Sequence, residues 1–308
     1  MRIRRRNHAR RRAARRLWGR ALDPVALLPY LLADLAARLL SRRARESLAR
    51  AMARAAFALR VPARRRLEHN LARLMAADGQ RSSGGSSPGG ARDAAVREVA
   101  CEAFQRFALA FVDFLELPRL PPPELLRAIL TSGEQHFRAA RATGRGVIVL
   151  SVHAGNWEWG AAYLAARGLP VHVLASPHRS RGVEGFFARR RAAWGVSRLR
   201  GRPLWLAAAA ALRRREWIAM MGDRPAPGAR GSLCAWAAAL ARRTGAVVLP
   251  AAMMRLPDGR YLASFEPPLD ARGCAEGRYR AAMLRHVRRA PGQWFGFEPL
   301  PEALLELA

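Results

Sequence analysis

Three features of the 308-residue sequence predict an α/β fold: a central, mostly parallel sheet flanked by helices, behind an N-terminal helical region that associates with a membrane. From about residue 125, short apolar runs alternate with alanine-rich stretches that close on glycine, the signature of successive βα units. One run, 146–152 (GVIVLSV), is continuously apolar and largely β-branched, as a strand buried on both faces must be. Ahead of the alternation, residues 21–78 are rich in alanine, leucine and arginine and read as helical.

The elements follow in order. Residues 1–20 contain ten arginines and no acid, a basic arm. In 21–40 (ALDPVALLPYLLADLAARLL), Leu28, Leu31, Leu32, Leu35 and Leu39 share one helical face, while Asp34 and Arg38 stand four residues apart on another. A charge near the centre of a spanning helix costs about 2.5–3.5 kcal/mol, so this segment reads as an interfacial helix behind a polybasic arm. A solvated tail followed by an ordinary core helix, or an arginine-rich transit peptide, fits the same residues. The Gly/Ser/Pro-rich stretch 79–92 is predicted to be a linker or loop. The α/β domain then runs over 93–308. It opens on a helix at 93–117 that carries Phe104, Phe107, Phe111 and Leu115 and stops at PRLPPPE. Strands are expected at 146–152, 171–175, 217–221, 246–254 and 260–265. Helices are expected at 156–167, 183–194, 204–215, 233–243 and 277–289.

The charge balance is extreme. Lys+Arg number 54 against 23 Asp+Glu, a net charge of +31, and every one of the bases is arginine. Such a surface attracts polyanions: nucleic acid, an anionic membrane or an acidic carrier protein. No zinc-finger spacing or RNA-recognition signature accompanies it, so nucleic acid is not the expected partner. Cys101, Cys234 and Cys274 are three in number and widely spaced, which suggests neither a disulfide framework nor a metal site.

The segment 151–160, SVHAGNWEWG, carries the chemistry. His153 follows the predicted buried strand, where an α/β sheet presents its ligands. Gly155 and Asn156 suit a turn and a helix cap, and Glu158 falls in the first helical turn. From there Glu158 is expected to fold back on the imidazole, fix its tautomer and raise the basicity of the other ring nitrogen, making His153 a general base. A capping or core histidine beside a solvated glutamate is the bland alternative.

GRGVIVLSVHAGNWEWG resembles the first block of the late acyltransferases of lipid A biosynthesis, in the lysophospholipid acyltransferase superfamily. TSGEQHFRAARATGRG, residues 241–265 (ARRTGAVVLPAAMMRLPDGRYLASF), APGQWFGF at 290–297 and RRRLEHNLARL at 64–74 resemble the same family, so the similarity spans roughly 64–297. The resemblance implies transfer of a fatty acyl chain from an acyl-carrier-protein or CoA thioester to a lipid hydroxyl, with no cofactor. It implies a bacterial inner-membrane location on the cytoplasmic face, with anionic lipids as partners. His153 and Glu158 match the family's catalytic dyad. Arg191 stands at a basic position of its second block. Asp223 and Arg224 match a pair after its third strand. Asn156, Arg191, Asp223 and Arg224 are therefore expected to bind substrate, the two arginines through phosphate or oxyanion. After GDRPAPGARG the chain passes almost directly to SLCAWAAALARRTGA, a shorter connection than the family's. A lipid-binding relative without activity, or a basic nucleic-acid-binding protein, are the other readings of the same chain.

Overall fold

The computed structural model describes residues 23–82, 89–201, 203–224, 233–269 and 276–298. The basic arm 1–20, the short connection at 225–232 and Cys274 lie outside them. Four helices come first: α1 (23–39), α2 (Arg42–Ala58), α3 (Pro62–Ser82) and α4 (Gly89–Glu116). Helix α5 (Pro122–Arg127) leads into alternating elements: β1 (Ile129–Ser132), α6 (Glu134–Ala142), β2 (Val147–Ser151), α7 (Trp157–Ala166), β3 (Val171–Val173), α8 (Arg181–Ala192), β4 (Ser197–Arg198), α9 (Leu204–Arg213) and β5 (Trp217–Met221). The chain ends on α10 (Leu233–Thr244), β6 (Val247–Arg255), β7 (Tyr261–Phe265) and α11 (Glu276–Arg289).

The segment expected to be a linker at 79–92 is helical at both ends, because α3 continues to Ser82 and α4 begins at Gly89; residues 83–88 are outside the described set. Strand β1, helix α5 and the two-residue β4 are too short to show a periodic pattern in the sequence; α6, also outside the expected elements, is short but amphipathic, with Phe137 and Ala140 on its buried side.

The strands form one sheet in the order β1-β7-β6-β2-β5-β3-β4. Every pair is parallel except β6–β7, which turn back on each other as a hairpin. Strand β2 lies between β5 and β6 with both faces covered. Ile148 and Leu150 join one apolar cluster, with α9, α10, α11 and the inner sides of α3 and α4; Val147 and Val149 join the other, with α6, α7 and α8. From β2 the chain first moves towards β3, then returns past β2 to β6. This divergence opens a crevice at the carboxyl end of β2, where ligands of such sheets bind.

Helix α1 docks by one side only. Tyr30 packs edge-on against Phe111 and Phe187. Asp34 pairs with Arg38, Arg119 and Arg190 at 2.6–3.0 Å. The five leucines of the predicted apolar face point away, between 46% and 74% exposed. Among the described residues no helix is long and apolar enough to cross a membrane.

A buried charge network ties α2, α4, β6 and β7 together. Arg255 Nε donates to Asp113 at 2.8 Å and Nη2 to Glu46 at 2.7 Å, while the Tyr261 hydroxyl donates to Asp113 at 2.6 Å. Asp113 and Glu46 hold the Arg255 guanidinium charged, above its ordinary pKa, despite burial. Removing one member strands a buried charge. Arg255→Met should cost about 3–5 kcal/mol in urea unfolding. Adding Asp113→Asn should recover part of that loss, since the two changes act on one interaction. Full additivity of the two losses would contradict the network.

Candidate active site

His153 stands two residues past β2, in a loop gripped by β6 and by the segment after α11. Its carbonyl accepts from the Phe295 amide at 2.7 Å, Gly155 N–H donates to Gln293 at 2.9 Å, and Asn156 N–H donates to Met253 at 2.8 Å. Gly155 has φ +61°, and a Cβ there would lie 1.9 Å from the Met253 carbonyl oxygen, so only glycine lets the loop lie this close to β6.

The imidazole meets a carboxylate, but not Glu158. Its Nδ1 lies 2.8 Å from Asp223 Oδ1. The other Asp223 oxygen accepts from the His153 backbone N–H at 3.1 Å and from Trp294 Nε1 at 3.3 Å. Asp223 follows β5, the strand paired with β2, so the two strand ends bring residues 70 apart in sequence into contact. Gly222 makes the approach possible: its N–H donates to the Ser151 carbonyl at 2.7 Å, and a Cβ on it would fall 2.2 Å from the Tyr279 hydroxyl. With Nδ1–H donated to Asp223, the lone pair is on Nε2, which has no hydrogen bond among the described residues.

Glu158 faces the other way. Its carboxylate takes both arms of the Arg191 guanidinium, at 2.8 and 2.5 Å, with each side chain 10% exposed. The expected contact with His153 is replaced for a geometric reason. Four residues beyond His153 stands Trp157, whose ring packs edge-on to the imidazole at 5.1 Å between centroids. Glu158, one residue further round α7, is turned towards the last turn of α8 and clamps the two helices together. Arg191 is thereby committed to Glu158, which holds the guanidinium charged above its ordinary pKa although burial opposes this.

Asn156 is 3% exposed and its amide is fully engaged. It donates to the Ala110 carbonyl and to the Tyr261 hydroxyl, both at 3.0 Å, and accepts from Trp159 N–H at 3.3 Å as the N-cap of α7. No polar group on it is left for a substrate. Through Tyr261 it connects the His153 loop to the Asp113–Arg255 network. Arg224, half-buried, places Nε 3.4 Å from His153 Nδ1. That nitrogen already donates to Asp223, so the contact is one of charge proximity. Trp294 is a site residue that sequence reasoning did not single out, although its block, APGQWFGF, was noticed.

A narrow apolar seam of about 40 Å³ opens beside Ser151 and Trp157, between α7 and the sheet. Gly160, Ala161, Ala219, Ala251 and Ala263 line it. Among the described residues no cluster of His, Cys, Asp and Glu could hold a metal ion.

The family model for bacterial lipid A biosynthesis acyltransferases matches residues 30–300, nearly the whole chain. The protein belongs to that family. No curated protein matches the chain significantly. Membership makes an acyltransferase of lipid A biosynthesis the supported class, and the matched span covers the second part of α1, the His153 loop, Asp223 and Trp294.

Burial alone would raise the Asp223 carboxyl. The hydrogen bonds from the His153 ring and backbone, and the charge of Arg224, outweigh burial and bring the carboxyl below its ordinary 3.8. A carboxyl lowered by folding contributes stability that is full above its unfolded value and lost as pH falls through its folded value. Asp223→Asn should therefore be less stable than wild type at neutral pH, and the gap should narrow as pH drops below about 4. Urea unfolding at stepped pH measures this, and a gap that stays constant between neutral and strongly acid pH would contradict it.

Proposed function

We propose that this protein transfers a fatty acyl chain from an acyl thioester, carried by acyl-carrier protein or CoA, to a hydroxyl of a lipid A precursor or a related lipid, with His153 as general base and Asp223, in place of Glu158, as its orienting acid. The observation that carries the reading is the His153–Asp223 hydrogen bond at the carboxyl end of β2, which leaves Nε2 without a hydrogen bond among the described residues. In the reaction, Nε2 takes the proton of the acceptor hydroxyl as its oxygen attacks the thioester carbonyl. The tetrahedral intermediate collapses, the C–S bond breaks, and the imidazolium returns the proton to the departing sulfur. No covalent enzyme intermediate is required. Arg224 brings a cation to 3.4 Å from the imidazole and is, among the described residues, our candidate to offset the developing oxyanion; such donors contribute about 2.7–4 kcal/mol each.

The surroundings favour lipid substrates. The seam beside Trp157 is lined mainly by apolar residues, small ones such as Gly160 and Ala219 among larger ones such as Leu164, Met253 and Phe265, and an acyl chain would have to widen it. The five exposed leucines of α1 form an unpartnered apolar stripe next to a strongly basic sequence, the pairing of features that holds a helix in the interface of an anionic bilayer. We place the protein at the cytoplasmic face of the bacterial inner membrane, where an acidic carrier protein and phosphorylated lipids would both be drawn to a +31 chain. Glu158 and Arg191 act here as a clamp that positions α7.

Acyl transfer from a labelled thioester to a lipid A precursor tests the assignment. His153→Ala and Asp223→Asn should each lower kcat by about a hundredfold or more. Glu158→Gln should lower thermal stability yet leave the pH–rate profile of the remaining folded enzyme unchanged. If Glu158→Gln abolishes turnover at undiminished stability while Asp223→Asn remains active, the orienting acid is misassigned. If wild type transfers no acyl group to any lipid hydroxyl, the enzyme reading fails.

A further inference from the structure

One cavity lies well away from the crevice at His153. It has a volume of about 700 Å³ and lies at the far edge of the sheet, between α8 and α9, around β4. None of its lining residues is His153, Asp223 or Arg224. Strand β4 is three strands from β2, about 14 Å at the usual strand spacing. The cavity therefore needs an account of its own.

Its walls combine two chemistries. Arg189, Arg191, Arg198, Arg200 and Arg214 line it, against Glu184 as the one carboxylate. Arg191, Arg198 and Arg214 are already paired, with Glu158, Glu184 and Glu216. Arg189 and Arg200 are exposed and make no ion pair among the described residues, so the uncompensated charge of the lining is carried by one arginine on α8 and one just past β4. Between them the wall is apolar, formed by Ala192, Val196, Leu199 and Ala207. A polar relay crosses the floor: Ser197 Oγ lies 2.7 Å from His172 Nδ1, and His172 Nε2 lies 2.9 Å from Glu216. The carboxylate fixes the ring with Nε2 protonated, so Nδ1 accepts from the serine hydroxyl.

We propose that this cavity is a second ligand site, for a phosphorylated organic molecule whose phosphoryl group lies between Arg189 and Arg200 and whose body rests on the apolar wall. Guanidinium groups match phosphate through paired N–H donors. A volume of about 700 Å³ is that of a small-molecule site, far larger than phosphate alone needs. Arg191 belongs to both regions: it lines the cavity and clamps Glu158 at the start of α7. A ligand here would therefore lie against the arginine that clamps α7, the helix after the His153 loop, without entering the crevice. The phosphoryl group could come from a soluble nucleotide-like molecule or from a lipid headgroup, and the experiment separates the two.

Titration calorimetry on the full chain, at physiological salt, would use three probes: inorganic pyrophosphate, an adenosine bisphosphate and a short-chain phosphatidic acid. One of the two organic probes should bind at one site per chain and more tightly than pyrophosphate. The adenosine compound would point to a soluble ligand, and phosphatidic acid to a headgroup. The Arg189→Ala/Arg200→Ala double variant should weaken that binding about tenfold or more, a loss of about 1.4 kcal/mol. Arg141→Ala/Arg145→Ala, equal in charge but beside α6, should change it less than about twofold. His153→Ala should bind as wild type does, so this result stands or falls apart from the acyl-transfer reading. Absence of saturable organic binding, pyrophosphate binding as tightly, equal weakening by the Arg141/Arg145 control, or loss of binding in His153→Ala would each overturn the proposal.

Discussion

One buried carboxylate holds the crevice together. Asp223 is 3% exposed and accepts three hydrogen bonds: from the His153 ring, from the His153 backbone and from the Trp294 indole. A carboxylate removed from water must be satisfied in this way or lose its charge. That requirement fixes the end of β5 against the end of β2, brings the segment after α11 across both, and sets the tautomer of His153. Gly155 and Gly222 serve the same constraint, each allowing a backbone approach that any side chain would block. The loop has little freedom left, which is what a general base needs if it is to meet a substrate hydroxyl without further rearrangement.

The charged pairs around this point divide the labour. Glu158–Arg191 clamps α7 to α8, and Asp113–Arg255–Glu46 fastens α4 and α2 to β6. Both are buried, so their desolvation offsets much of their attraction; their contribution is to fix geometry rather than to add large net stability. Asn156 joins the second network to the first helical turn of α7. The chain's excess of arginine thus has internal uses as well as a surface field, and α1 adds an outward apolar stripe to that field, although among the described residues no helix is long and apolar enough to span a bilayer.

The sheet was legible in the sequence because its central strands are buried on both faces. The run at 146–152 has no polar residue until its end, and the helices around it close on glycine. Strand β4 was not legible: two residues, one of them an arginine, carry no period. The site was legible in part. His153 could be found because the strand ends just before it and a cap follows. Its partner could not, since the choice between Glu158 and Asp223 depends on β5 lying next to β2, and strand order is a long-range property. The family resemblance put Asp223 on the page as a substrate contact. Only the pairing of β2 with β5, and the position of Trp157 against the imidazole, moved it to Nδ1. Helix α3 runs four residues past its expected end, to Ser82, and α4 begins four residues before its expected start, at Gly89; the glycines and serines there favour a loop locally and hide both extensions in the sequence.

The most direct test of the central claim is nitrogen NMR of the protein with isotope-labelled histidine, which reads the protonation state of each ring nitrogen of His153 at neutral pH. The account predicts a neutral ring protonated on Nδ1, unprotonated on Nε2, unchanged in Glu158→Gln and scrambled between tautomers in Asp223→Asn. A ring protonated on Nε2, or a tautomer that is lost in Glu158→Gln and retained in Asp223→Asn, would contradict it.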